Sequence, residues 1–396
     1  MQTKTRTDLQ NFAEAIQHEW LETNGLGGWA SSSVIGAHTR RYHGLLVAAV
    51  IPPAERMVLL SKLDETIIAG DKRVELGVNL YPDQTIKPNG NDFLTGFSKE
   101  LFPQWLYETD GIKLNKTVAM VHGENTTLVI YDVIEAIQPF TLELLPLMAA
   151  RNYHELTHEG PQMHWHVDFE NGIFRNQPDG KTDVFISVPG SVYEHTPQWY
   201  NNFQYVVEQF RGLDYTEDLF NHGKFTVELK QGDSLGIIVS TENPEGRNAL
   251  ELLTKENMRR QLLVSHQPDD ETFEQLTLAA DQFIVKKGEF SKTIIAGYHW
   301  FSDWGRDTMI SLPGLCLSTG RFEDAKKILS AFAKSVNKGM LPNRFGDSDQ
   351  EPEYNNVDGT LWFFIAVNKY LEATGDRAFV LKELLPVLKE IIDWHF

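Results

Sequence analysis

One cysteine, Cys316, occurs in 396 residues, which excludes an internal disulfide, a cysteine-based zinc site and an iron–sulfur cluster. Positive charge is scarce as well. Against 55 Asp+Glu stand 36 Lys+Arg, a net charge of -19, and that field repels phosphate backbones and anionic lipid while leaving neutral ligands unaffected. Neither nucleic acid nor a membrane surface is an expected partner. No apolar run reaches the ~18 residues that a membrane span needs. The polar start, residues 1–8, is followed by no apolar core of a secretory leader. With thiols nearly absent, a reducing compartment, the cytoplasm, is the expected location. Neither a metal nor an organic cofactor is expected, and the sequence contains no internal repeat or low-complexity tract.

What is present reads as a folded chain. Hydrophobic residues make up 41% and charged ones 23%, near globular averages, so a disordered chain or a fibrous rod is excluded. Aromatics reach 11%, with nine Trp among them, and His numbers 13, a supply suited to stacking on planar or sugar-ring faces. From about Glu19 to Glu251 short runs alternate with period two between turn residues, the pattern of half-buried antiparallel strands. Residues 117–122, the turn 123–125 and residues 127–133 make an expected hairpin. Residues 163–169, 184–188, 225–229 and 235–239 extend the series, and so many strands at regular spacing indicate a large antiparallel β-sandwich.

After Thr241 the pattern turns helical: first 248–263, then a polar segment, Gln267-Pro-Asp-Asp-Glu271, where a domain boundary is expected. Residues 273–287, 307–318, 322–336, 360–373 and 378–394 each carry apolar side chains three and four positions apart. The second half is therefore expected to be all-α, its helices paired by short turns, with Gly320, Gly339 and Gly375 near the stops. The amphipathic pattern runs to Phe396 without a cap or polar tail, so the helical part is expected to be truncated. Residues 1–266 and 272–396 are the two expected domains.

The densest polar and aromatic cluster is Ala296-Gly-Tyr-His-Trp300 followed by Phe301-Ser-Asp-Trp-Gly-Arg-Asp307, just ahead of a helix start. Arg306 and Asp307 offer a guanidinium fork and a carboxylate to vicinal sugar hydroxyls, and Trp300 and Trp304 offer flat faces to a pyranose ring. The plainer alternative makes Asp307 an N-cap and Arg306 a salt-bridge partner. Asn343, Arg344, Asn355 and Asp358 are hydrogen-bonding groups on two further helix-flanking loops, 340–344 and 351–362, which would converge on one cleft if they shared a rim. Asp358 and Trp362 are four apart and so share a helical face; alternatively Asp358 is an N-cap and Trp362 core. His164 and His166 fall on one face of an expected strand, and His154 and His158 are four apart, but neither pair is read as a metal-ligand set. Asn24-Gly-Leu-Gly-Gly28 matches no phosphate loop and reads as a turn. Cys316, among Leu312, Leu315 and Leu317, reads as a buried core thiol.

Trp304-Gly-Arg-Asp307, Leu341-Pro-Asn-Arg344 and Tyr354-Asn-Asn-Val-Asp-Gly-Thr-Leu-Trp362 resemble the amylo-α-1,6-glucosidase family of glycogen debranching enzymes. Trp20-Leu-Glu-Thr-Asn-Gly-Leu-Gly-Gly-Trp-Ala-Ser31 and Thr39-Arg-Arg-Tyr-His-Gly-Leu-Leu-Val47 resemble the N-terminal domain of its archaeal and bacterial members. The resemblance implies a β-sandwich followed by an (α/α)6 toroid. It also implies inverting hydrolysis of α-1,6-linked glucosyl stubs on glycogen or limit dextrin. Trp304, Arg306, Asp307, Asn343, Arg344, Asn355, Asp358 and Trp362 would be substrate-binding. Arg41, Tyr42 and His43 would be contacts between sandwich and toroid, or ordinary strand packing. Inversion needs a carboxylic acid and a carboxylate base about 6.5 to 9.5 Å apart. The family acid belongs to a Thr-Trp-Met-Asp motif and the base lies later in the toroid; neither occurs here. The expected toroid is therefore incomplete and the catalytic pair lies beyond Phe396. Two rivals stay open, a non-catalytic glucan-binding or assembly protein and another glycosidase or phosphorylase on the same fold.

Overall fold

A computed structural model describes residues 2–265, 268, 270–289, 291–345 and 352–396. The chain divides into two compact units: Met1–Asn24, Gly28–Val50 and Arg56–Arg259 form the first, and Gly25–Gly27, Ile51–Glu55 and Arg260–Phe396 the second. The division falls inside the helix Ala249–Val264. It lies upstream of the expected boundary segment, of which residues 267 and 269 are outside the described residues.

Period-two alternation is realised in the first unit as two antiparallel sheets. Among the described residues one sheet has nine strands, with Leu94–Lys99, Pro103–Thr109, Ile112–Met120, Thr126–Ala136 and Ser234–Ser240 side by side. The other has ten, built around Phe140–Asn152, Ala54–Ala69, Gly44–Ile51, Trp29–Ser33 and Glu19–Thr23. The expected hairpin is present: Ile112–Met120 pairs with Thr126–Ala136, Thr117 opposite Ile130, and Gly123 takes the left-handed φ of 88° that the turn requires. Inward-facing residues of both sheets, among them Trp20, Leu46, Leu60, Phe97, Trp105, Val118 and Val129, share one apolar core. Trp20 meets Trp105 edge-on at 5.2 Å between ring centroids. One expected strand is missing. Residues 163–167 form no regular structure and pairing starts only at Asp168, so His164 and His166 do not share a strand face.

In the second unit the helix Phe322–Lys334 buries Ala325, Ile328, Leu329, Phe332 and Ala333, the i, i+3, i+4, i+7, i+8 stripe of its sequence. Met309, Leu312, Cys316, Phe363, Tyr370 and Leu384 complete its core. Burial pushes the Cys316 thiol up to about 12, consistent with an inert core residue. The expected helix 273–287 is only partly formed. Asp270 caps it, accepting from the amides of Thr272 (2.8 Å) and Phe273 (3.3 Å), but it ends at Phe283. The β-branched pair Ile284 and Val285 then starts a hairpin, Ile284–Lys287 with Ser291–Ile294. The second half is therefore not purely α. Pro313 withholds an amide from the next expected helix, which stops at Leu312 and continues as a wider turn, Pro313–Leu317. Gly375 closes Val357–Thr374 with a left-handed φ of 66°. Among the described residues no helix is long and apolar enough to cross a membrane.

Candidate functional site

Two helix N-termini in the second unit carry most of the candidate residues. Gly305–Leu312 begins after Trp304, whose backbone is extended (φ -110°, ψ 132°). Asp307 is thus the third helical residue and not the cap, contrary to the plainer expectation. A first-turn carboxylate is favoured by the helix dipole without any specific bond. The Asp307 side chain is exposed, and among the described residues it makes no hydrogen bond or ion pair. Gly305 is dictated by close approach: a Cβ there would lie 2.1 Å from the Pro342 carbonyl oxygen, and the Gly305 amide donates to Asn343 O at 2.7 Å.

The second N-terminus belongs to Val357–Thr374. Its cap is Asn356, whose side-chain oxygen accepts from the Gly359 amide at 2.9 Å, so Asp358 is not the cap either. Asp358 Oδ2 lies 3.0 Å from Arg306 Nε, and both side chains are about half exposed. Arg306 is therefore an ion-pair partner, as the plainer reading has it, but of another candidate residue. Trp362, one turn on, is 38% exposed and not core. Trp304 is half-buried and meets Phe301 edge-on at 5.9 Å.

A third segment ties the two helix starts together. Isolated antiparallel bridges join Trp304 to Arg344 and Arg344 to Glu353. Asn343 N donates to Glu353 O at 2.8 Å, and Glu353 N to Arg344 O at 2.9 Å. The Asn343 amide nitrogen donates to Asn355 Oδ1 (3.0 Å), and Asn343 Oδ1 accepts from Asn356 Nδ2 (3.1 Å). Asn343 and Asn355 thus spend polar groups on fixing the loop itself. Arg344 Nη1 stands 3.8 Å from Glu353 Oε1. Buried Thr360 accepts from the Leu341 amide at 2.9 Å. Glu351, part of the quoted 351–362 cluster, lies outside the described residues.

Asn356, Thr360, Asp303 and Lys287 are positions the sequence reading missed. Asn356, Thr360 and Asp303 lie within the quoted clusters and had that signal. Lys287 had none, since it sits where a helix was expected. Its ammonium lies 2.7 Å from Asp303 Oδ2; burial pushes the ammonium below its ordinary range, and Asp303 opposes that shift.

The remaining sequence candidates find structural partners in the first unit. Arg41 donates to the His154 and Asp214 carbonyls, both at 2.7 Å, and faces Glu208 at 3.4 Å. Tyr42 Oη lies 3.1 Å from His154 Nδ1, and His43 Nδ1 accepts from Thr39 N at 3.1 Å. His158 faces Asp218 at 3.7 Å and His166 faces Asp168 at 3.2 Å. Among the described residues no group of three or more His, Cys, Asp or Glu is arranged to hold a metal ion.

Comparison with known families decides the membership. Residues 18–236 match the family model described as glycogen debranching enzyme N terminal, and residues 278–396 match the one described as amylo-alpha-1,6-glucosidase. The chain belongs to the glycogen debranching enzyme family. A glycogen debranching enzyme of Saccharomyces cerevisiae is 38% identical over 104 residues, 25% of this chain and 7% of that protein. A bacterial glucoamylase, solved in complex with acarbose, superposes with a TM-score of 0.50 at 11% identity, covering 99% of this chain and 57% of its own. That likeness concerns the fold alone. The debranching-family chain thus spans less than two thirds of either protein. All eight candidate residues fall inside the stretch matched to the glucosidase model.

Proposed function

We propose that the chain binds the glucosyl unit of a branched α-glucan, glycogen or a limit dextrin, at the paired helix N-termini, as part of an inverting α-1,6-glucosidase. The observation that carries the reading is the Arg306–Asp358 pair, half exposed at 3.0 Å, with the unbonded Asp307 carboxylate on the neighbouring residue and the exposed Trp362 one turn on. Vicinal hydroxyls both donate and accept, so a guanidinium beside carboxylates matches them, and an indole face covers the apolar side of the ring. Arg344 adds a second cation at the same rim, and Asn343 and Asn355 hold the loop that presents it.

In this reading the helices of the second unit are the first part of an (α/α)6 ring. The general acid and base, which inversion separates by about 6.5 to 9.5 Å, come from outside residues 1–396. Asp307 serves as a substrate ligand and not as the catalyst. The proposed location is the cytoplasm, a reducing compartment that the near absence of thiols suits.

Titration calorimetry of the chain with panose, a trisaccharide carrying one α-1,6 bond, tests the reading, with a glucose assay on phosphorylase limit dextrin in parallel. Saturable panose binding without glucose release is expected. Absence of binding overturns the site, and glucose release by the chain itself overturns the placement of the acid and base.

A further inference from the structure

The residues of the site are held by a side chain that no motif contains. Lys287 ends the strand Ile284–Lys287, and its Nζ lies 2.7 Å from Asp303 Oδ2. Asp303 is 3% exposed and directly precedes Trp304. The same ammonium lies over the ring of Phe345, the residue after Arg344, and 6.0 Å from the ring centre of Phe332. Trp304 and Arg344 themselves pair across an antiparallel bridge. One cation therefore grips the neighbours of both bridged residues.

The strand that carries Lys287 is itself fixed on two sides. Ile284 pairs with Ile294 across the hairpin, and Lys286 N donates to Gly25 O at 2.9 Å. The glycine-rich loop, which the sugar site leaves without a task, thereby acquires one. Gly27 has a φ of +96°, and a Cβ there would lie 2.8 Å from Pro53 O, so the loop tip admits no side chain at that point.

An ion pair with Asp303 buried and Lys287 about a quarter exposed is a weak source of stability, because apolar replacements of similar volume are often neutral or better. It does impose distance and direction through a charge-assisted bond, and an ammonium over a ring adds a second restraint of the same kind. We propose that Lys287 is a positioning residue of the sugar site, setting the Trp304 and Arg344 segments relative to each other through Asp303 and Phe345. The inference rests on the glucan reading above.

Calorimetric titration with panose and thermal melts of the same 1–396 chain test it. Lys287→Met/Asp303→Leu removes both charges together, leaves no ion buried alone, and is expected to melt within a few degrees of the unsubstituted chain. Its panose affinity should nevertheless fall by about tenfold or more, whereas Lys287→Arg, which restores a cation, should stay within about threefold. An unaffected affinity in the double variant overturns the inference, as does an affinity loss seen only with a collapsed melt or an arginine variant as weak as the double one. If the unsubstituted chain binds no panose, the glucan reading falls and takes the inference with it. Normal binding by both the unsubstituted chain and the double variant overturns the inference alone.

Discussion

Asp307 and Trp362 are the residues on which the sugar reading turns, because each was open to a bland role that the structure withdraws. Asp307 caps nothing, and Trp362 is not core. Asp307→Asn should cost about 2 kcal/mol of panose binding, the worth of a hydrogen bond to a charged group, with an unchanged melt. Equal affinity would show the carboxylate to be solvent-facing only. Trp304→Leu and Trp362→Leu keep apolar volume but lose the indole face, so oligosaccharide affinity should fall further than Tm; the opposite order would return both to packing roles. Two residues of the first unit set an acid limit on stability. Burial holds His222 down to about 4, its Nε2 lying 2.9 Å from the His164 carbonyl oxygen. The unfolded state takes up this proton first as pH falls below about 6.5, so stability present at neutral pH is lost between about 6.5 and 4, on the order of 3 kcal/mol in all. Burial would raise the Glu19 carboxyl, but His43 and then Arg40, 2.7 Å away, hold it down to about 2. Its contribution is present above about 4.5 and lost as pH falls towards 2. Tm measured against pH should decline in both windows. His222→Gln should flatten the upper window and Glu19→Gln the lower; unchanged slopes would contradict these assignments. Legibility at this scale followed sequence distance. The motif 304–307 is contiguous and could be read. Lys287 meets Asp303 and Phe345 only through the fold, and Asn356 won the cap from Asp358, two positions away, through geometry that composition does not encode.

Among the elements, helices with one apolar stripe were legible and those with conflicting signals were not. Phe322–Lys334 follows its periodicity nearly residue for residue. The expected helix 273–287 fails at Ile284, where β-branched residues and a hairpin partner outweigh a helical pattern that continues through them. At 163–167 alternation is present, but the neighbouring chain meets it through the His164 amide to Pro178 O (3.2 Å) and the Asn176 side chain to the His164 and His166 carbonyls, not as a ladder. The helix Val357–Thr374 is apolar on more than one side. It buries Phe363, Ala366, Val367 and Tyr370 while leaving Leu361 57% and Ile365 49% exposed. An apolar strip of that kind promotes association. Leu361→Lys with Ile365→Glu should lower the weight-average mass seen by analytical ultracentrifugation at micromolar concentration without lowering Tm. If the unsubstituted chain is already monodisperse and monomeric, that expectation is wrong.

As a whole the molecule is two units of unequal robustness. The first has a continuous core between two large sheets, whereas the second leaves Phe273, Leu276, Ile310, Leu381, Ile392 and Trp394 exposed around a smaller core. Limited proteolysis should therefore leave a resistant fragment ending near Arg259 while the helical part is digested. Equal resistance of both, with a single cooperative melt, would contradict it. The broad order, sheets then helices, was readable because the hydrophobic period changes from two to 3.6 near Thr241. That the second unit includes Gly25–Gly27 and Ile51–Glu55 was not readable, since nothing in a glycine or proline turn announces which body it will join. This interleaving has a consequence for synthesis. The two loops leave the ribosome roughly 200 residues ahead of the helices they belong with, a delay of about 10 to 40 s at ordinary elongation rates. Throughout that interval the two loops wait without the helices they belong with, and the last-made part of the chain must complete a body whose first pieces were laid down near its beginning.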